Sequence, residues 1–428
     1  MTAPTKNPTP TVSDTHPPAL PVGTRNAGLQ GLTEFVEHMG TAYAQSRNYD
    51  LGQGQHRHVS KLSPYLRHRL LSEEEVVRAA INAHGPAASE KFVQEVIWRS
   101  YFKGWLEQRP QVWTQFRYGL ERDLDTVASD PAVSARLKAA ENGRTGLPYF
   151  NEWIRELHTT GYLHNHARMW FASIWIFTLG LPWRLGADLF LRQLLDGDAA
   201  SNTCSWRWVA GLHTRGKTYQ ATAQNIATFT NGRFAPADAD LAQTAPALVI
   251  EEPDGLPPLV PLRQVAAPKV NVPTLLLATA DDCQLDARSL STLNITGVAR
   301  LPSAHMRSPR AVAAHVRRFE DQALTDACAD LAKSHEVATV TTPGDLVKIA
   351  QLNGAHQIVH PYATVGPLRD WLDSARPTLD ANSLPLCEWQ RDWDREIWPF
   401  CTAGFFKVKK RLPQLLQQLG LTKTVGDN

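Results

Sequence analysis

Cysteine is scarce in this chain of 428 residues: Cys204, Cys283, Cys328, Cys387 and Cys401 are scattered, and no two form a C-x-x-C pair. That spacing argues against a disulfide framework and against a zinc or iron–sulfur centre, so no metal site is expected. Long apolar runs are also missing, which excludes a membrane-spanning helix. The opening MTAPTKNPTPTVSDTHPPALP has no apolar core of the kind a secretory leader needs. The expectation is a soluble, cytoplasmic monomer. Charge of one sign is lacking too, since 44 basic and 42 acidic residues leave a net charge of +2. An anionic partner must therefore be met by a local patch, not by a global field. Tryptophan is what the chain has in quantity, with thirteen residues. They can serve as packing, as electron relays or as platforms on which bases stack.

Taken in order, residues 1–27 are rich in Pro and Thr and are expected to be disordered. Leu32, Phe35, Val36, Met39 and Tyr43 then recur at helical spacing. Ser72 followed by Glu75 is a capping box that opens a helix through Ala83. EKFVQEVIWRSYFKGW, residues 90–105, is a further helix, and residues 149–196 give three more. Residues 28–235 thus read as an all-helical domain. A Pro-rich stretch over 236–272 reads as a linker. Beyond it, strands at 274–279, 336–340, 357–360 and 384–387 alternate with helices at 309–333, 343–353 and 365–375. That alternation predicts a doubly wound α/β domain, Rossmann-like, over 273–428. No G-x-G-x-x-G follows its first strand, so a dinucleotide fingerprint is not expected there. The final AGFFKVKKRLPQLL reads as a closing amphipathic helix.

The stretch LDGDAASNTCSWRW, Leu195–Trp208, concentrates chemistry. Asp196 and Asp198 stand one residue apart, Asn202 follows, and Trp206 and Trp208 flank a single residue. Its Gly/Asp/Asn content predicts a loop between helices. With the preceding TGYLHNHARMW and WRLG it resembles the FAD-binding half of the photolyase/cryptochrome family. That family's motifs TGW-x-HNR-x-RM, W-R-x-G, DGD and N-x-x-x-W-x-W come in the same order. The resemblance covers roughly residues 28–235. In that family the α/β antenna domain usually precedes the helical one, whereas here the α/β part comes last, so the chain resembles a permuted or rebuilt member.

The resemblance implies an FAD site. VSKLSPYL resembles the family's TSxLSPYL phosphate motif and would contribute Ser60, Lys61, Leu62 and Ser63, with Val59 where Thr is common. Tyr43 and Arg47 match an upstream Y-x-x-x-R. Asn165, Arg168, Asp196, Asp198 and Asn202 would surround the ring, with Arg168 paired to Asp196 and Asn202 facing the flavin N5. Arg99 and Phe92 would join from the neighbouring helix, Phe92 standing where the family commonly has Trp. An antenna chromophore is left unassigned.

The family's E-x-x-W appears as Glu95 and Trp98. Together with Met169, Asn202 and Trp208 these residues would form a cavity for a flipped-out lesion, in which two indoles clasp the bases. Burial among indoles would raise the Glu95 pKa. Trp206 and Trp183 match the inner and middle members of the family's electron relay; no outer Trp is present, and Trp170 or Trp175 offer another exit. Arg47, Lys61, Arg67, His166, Arg207, Arg215 and Lys217 are the candidates for a DNA-binding rim, with His166 replacing the Arg of HNR. The implied function is light-driven repair of cyclobutane pyrimidine dimers in DNA by electron transfer from reduced flavin. The alternatives are a blue-light receptor without repair turnover, repair of the (6-4) photoproduct suggested by the pair His164 and His166, and a scaffold with a vestigial flavin pocket.

Overall fold

Helices begin where the chain supplies their ends. The structure, a computed structural model, describes residues 20–285 and 290–422. Thr24 caps the helix Arg25–Phe35, so helix begins inside the stretch expected to be disordered; residues 1–19 lie outside the described residues. Gly23 and Arg25 donate their N–H groups to Gln322 (3.0 Å) and Asp326 (2.7 Å), which ties this end down. Ser72 and Glu75 form the capping box of Glu73–Ala88. Pro opens Pro110–Ser129, Pro131–Glu141 and Pro148–Thr160, at positions where a missing N–H leaves no bond unmade. The expected loop over 195–208 ends at Asp198. That carboxylate accepts from the Ser201 N–H at 2.9 Å and starts the helix Ala199–Val209, a cap strong enough to override the weak propensity of Asn and Ser.

Five strands follow: β1 (Pro273–Thr279), β2 (Asn294–Leu301), β3 (Val337–Thr339), β4 (Gln357–Pro361) and β5 (Leu386–Trp389). They form one all-parallel sheet in the order β3-β2-β1-β4-β5. β2 escaped the sequence reading because NITGVARL carries a mid-strand glycine and a charged Arg300. Gly297 is required there, since a Cβ would run into the Asn353 side chain. Leu275, Leu277, Ala299 and Leu301 pack with the helices Pro343–Leu352 and Pro367–Ala381. Ala278 and Val298 pack with Leu324 of the helix Ala314–Ala327. The two clusters hide apolar side chains of the all-parallel sheet beneath helices.

Residues 236–272 are Pro-rich but closely attached. Leu248 N–H donates to Ala210 O (3.0 Å) and Val260 N–H to Gln108 O (2.9 Å), while Arg263 grips Glu388 at 2.5 and 2.7 Å. The segment is a strap held on both sides. The largest apolar cluster likewise runs from Leu32 through the helical half to Val316, Phe319, Trp398, Phe405 and Leu412.

The joint between the two halves is ionic and buried. At the C-terminal end of β1, Asp281 meets Arg67 at 2.8 Å and Asp282 meets Arg69 at 2.8 Å. Arg69 also reaches Asp394 (3.2 Å), and Arg391 bridges Glu73 (2.7 Å) and Asp394 (3.0 Å). Arg69 holds φ at 50°, a left-handed conformation that costs roughly 1–2 kcal/mol and is fixed by its two carboxylates. Between the two arginines, His68 donates its Nδ1 proton to Ala280 O at 2.6 Å and faces Arg307 through Nε2 at 3.4 Å. After the end of β4, Tyr362 donates its hydroxyl to Glu107 at 2.6 Å.

Burial, with Arg67 and Arg307 alongside, holds the His68 pKa well below 6.5. The folded state therefore keeps His68 neutral, whereas the unfolded chain protonates below about 6.5. The sign follows: this contribution to stability is full above pH 6.5 and is lost progressively as the pH falls. Thermal unfolding followed between pH 8 and 5 should show Tm dropping below about 6.5, and His68→Gln should make that drop shallower. An equal slope in the variant would refute the assignment.

Candidate functional site

Four segments converge on the loop before Ala199–Val209. Arg168, on the helix Asn165–Ser173, reaches Asp196 with Nη2 to Oδ2 at 3.0 Å, the pairing expected from the sequence. Its Nε donates to Leu163 O at 2.8 Å, which fixes the guanidinium. Burial alone would raise the Asp196 pKa, but Arg168 and Arg99 hold it below the usual range. Asp198 is likewise buried, and Lys103 (3.2 Å) and Arg67 (3.8 Å) drive its pKa strongly down. Burial outweighs Asp198 at Lys103, whose pKa is lowered. Two carboxylates are thus surrounded by Arg168, Arg99, Lys103 and Arg67, a cation-rich environment.

Several buried polar atoms around this loop have no partner within the chain: Arg99 Nη1, Asp196 Oδ1, Ser201 Oγ, Thr203 Oγ1 and Trp206 Nε1. A buried group left unpaired costs about 1–3 kcal/mol. Such a set of donors and an acceptor suits a ligand with a polar edge. Asn202 lies in the same place but gives Nδ2 to Ala187 O at 2.8 Å, so part of its amide is engaged. Tyr43 packs edge-on against Phe92 at 5.1 Å, making one aromatic wall. In the SKLSP turn, Ser60 accepts from the Leu62 N–H (3.3 Å) and Lys61 is exposed at φ 53°. Leu62 is buried in the core and contributes packing. Asn165 is exposed and Met169 is half-buried.

The expected lesion cavity differs. Glu95 is not isolated among indoles: Arg47 reaches it at 3.0 Å and Lys91 at 3.1 Å. One face of Trp98 is covered by Phe405, stacked at 3.9 Å and 12°. Tyr101 donates its hydroxyl to Ala403 O and Arg109 donates to Thr402 O, each at 2.9 Å, pinning the covering segment. Trp208 is partly exposed and stacks on Tyr219 at 5.5 Å. The sequence reading missed Phe405 because GFFKVKK registers only as the start of an amphipathic helix; the paired phenylalanines were the available signal.

Trp206 and Trp183, the residues expected to form a relay, are both deeply buried. Trp206 meets Trp175 edge-on at 6.3 Å and lies against Gly186, where a Cβ would overlap its ring. Trp183 begins the helix Trp183–Gln193, one turn before Gly186. Its Nε1 donates to Glu251 at 3.2 Å.

Of the expected DNA rim, three members turn inward. Arg207 is buried and forms a bidentate pair with Glu252. Arg67 belongs to the ionic joint. His166 stacks on Trp170 at 4.3 Å and bonds to Asn48 O at 3.0 Å, and burial lowers its pKa. The ring is half-buried and engaged by these neighbours. Arg47 is committed to Glu95, and Arg215 donates to Glu252 O at 2.8 Å. Lys61 and Lys217 remain exposed. Asp50, His56 and Glu156 form a buried trio close enough to hold a metal ion, although Asp50 is already bound by Arg233 (2.7 Å) and the Trp153 indole (3.0 Å).

Residues 92–236 match the family model of the FAD binding domain of DNA photolyase. The deoxyribodipyrimidine photo-lyase of Streptomyces griseus is 33% identical over 201 residues, 46% of this chain and 41% of that protein. Its counterpart in Thermus thermophilus is 35% identical over 196 residues, 45% of this chain and 44% of that protein. The chain thus spans less than half the length of these curated relatives. The solved cryptochrome of Synechocystis sp. PCC6803 aligns at a TM-score of 0.41 and 19% identity, over 70% of this chain and 55% of that one. The family model and the two curated relatives support the photolyase resemblance of the helical half.

Gly186→Ala should displace Trp206 and destabilise the fold by about 1–3 kcal/mol, the usual cost of overpacking. Urea unfolding with tryptophan emission as the probe measures both effects; unchanged stability and emission would refute the close packing.

Proposed function

We propose that the helical half binds FAD and that the chain performs light-driven repair of cyclobutane pyrimidine dimers in DNA. The observation that carries this reading is the Arg168–Asp196 pair set among buried, unpartnered polar atoms, in the segment matched by the family model. When bound, reduced flavin supplies an electron on absorbing light. The chain's own groups supply the rest. Ser60, Lys61 and Ser63 would hold phosphate, and Tyr43 and Phe92 would wall the cofactor. Arg99, Arg168, Asp196, Asp198 and Asn202 would meet the polar ring. Asp196 keeps Arg168 aimed, and the surrounding cations favour a ligand that gains negative charge. Glu95, Trp98, Met169 and Trp208 would face the lesion, with Trp206 and Trp183 as relay. Lys61 and Lys217 are the exposed cations of that rim left to meet DNA phosphates, and Arg47 and Arg215 could join them only by giving up Glu95 and Glu252 O. We read the strand order, which reverses between β1 and β4, as a doubly wound sheet and as the counterpart of the family's antenna domain.

A second reading, a light receptor without repair turnover, is favoured by one observation: Phe405 covers a face of Trp98. Under that reading the flavin site is retained while access for a base is closed.

Purified protein should be yellow and release FAD on denaturation, and Asp196→Ala should lose most of it because Arg168 would lose its counter-charge. Colourless protein that cannot be reconstituted would end both readings. Illumination with a dimer-containing oligonucleotide separates them: repair by the wild type supports the first. Phe405→Ala should then tighten lesion binding, since a stacked base contributes about 1–3 kcal/mol. Flavin retention with no repair in either form would leave the receptor reading standing.

A further inference from the structure

The relay ends at an unusual place. Trp183 donates its indole N–H to Glu251 Oε2 at 3.2 Å. Glu251 comes from the Pro-rich strap, in the short turn Val249–Glu251, beyond the residues matched by the family model. Arg184 holds the same carboxylate at 2.7 Å. Its guanidinium carbon stands 4.9 Å over the Trp183 ring. Asp123 lies on the other side of Arg184 at 3.6 Å, its carboxyl pushed up to about 6 by burial. Trp183, Arg184 and Glu251 line one cavity of about 250 Å³. The Glu251 side chain is 30% exposed and so can exchange protons with solvent.

An oxidised tryptophan is a far stronger acid than the neutral indole. Positive charge on Trp183 would also be repelled by the guanidinium over its ring. Loss of the N–H proton relieves both. We infer that Glu251 is the proton acceptor for oxidised Trp183, which makes the relay proton-coupled at its middle member and holds the separated charge without an outer tryptophan.

The inference rests on the flavin reading above, and its step balances as follows. When bound, a photoexcited, oxidised flavin would be the electron acceptor. On the relay proposed above, Trp206 would give up one electron and be refilled by one from Trp183, three residues before the Gly186 against which the Trp206 ring packs. The Trp183 Nε1–H bond breaks, the proton passes to Glu251 Oε2, and a neutral Trp183 radical remains beside a carboxylic acid. A thiol reductant returns an electron, and the proton goes back to Nε1.

The test uses full-length protein loaded with FAD and excited by a laser flash without reductant. In the wild type the tryptophan radical should convert from its cation to its neutral spectrum, more slowly in D2O. Glu251→Gln keeps an acceptor for the hydrogen bond but takes no proton. It should slow that conversion at least about tenfold and shorten the separated state correspondingly. Trp183→Phe should abolish the neutral signal. In flavin-free protein the Trp183 indole N–H resonance should shift in Glu251→Ala, which reports the hydrogen bond independently of photochemistry. An unchanged conversion rate and isotope effect in Glu251→Gln overturns the inference while leaving the flavin reading intact. So does a radical that settles on Tyr118, the exposed tyrosine at the rim of the same cavity. Failure to retain FAD, or retention without any tryptophan radical, overturns the inference at its premise and is distinguished by colour and by the missing transient.

Discussion

Two aspartates at the end of one strand organise this molecule. Asp281 and Asp282 follow β1 and enter the helical half, where Arg67 and Arg69 receive them. Removing one member of a buried pair typically costs about 3–5 kcal/mol because the survivor is left uncompensated. Here the survivors would be several, since Arg67 also supports Asp198 and Arg69 also supports Asp394. Asp198 in turn caps the helix that carries Asn202 and Trp206. The position of the candidate flavin site therefore depends on charges contributed by the sheet.

The same joint determines what the sheet can do. In open parallel sheets the crevice beyond the strands' C-terminal ends, where the strand order reverses, is the usual place for a ligand. Here the reversal lies between β1 and β4. The segments after those two strands contact His68 and Glu107 of the helical half. The edge that would ordinarily bind a small molecule is occupied by the neighbouring helices.

Much of this was legible because it is local. The Ser72–Glu75 box and four of the five strands announce themselves through residue type and spacing, whereas the Arg168–Asp196 pair was legible only through the family resemblance. β2 was hidden by Gly297 and Arg300, whose reason lies in the Asn353 contact across the layer. The helix Ala199–Val209 was hidden because one cap, Asp198, outweighs a run of weak formers. Misplaced rim residues share one cause. Arg207, Arg67 and His166 look like surface cations in sequence, and only tertiary partners such as Glu252 and Asp281 reveal them as interior. Phe405 and Glu251 lie far along the chain from Trp98 and Trp183, so no spacing rule joins them.

Gly104 carries a consequence for how the chain is made. It sits mid-helix in Glu90–Glu107, where a Cβ would collide with the Trp398 ring. A helix laid down early in synthesis thus has a groove shaped for an indole that arrives nearly three hundred residues later. Until then the groove at Gly104 stands exposed on the nascent chain without the indole that fills it. At typical elongation rates of roughly 5–20 residues per second, that exposure lasts from about fifteen seconds to a minute.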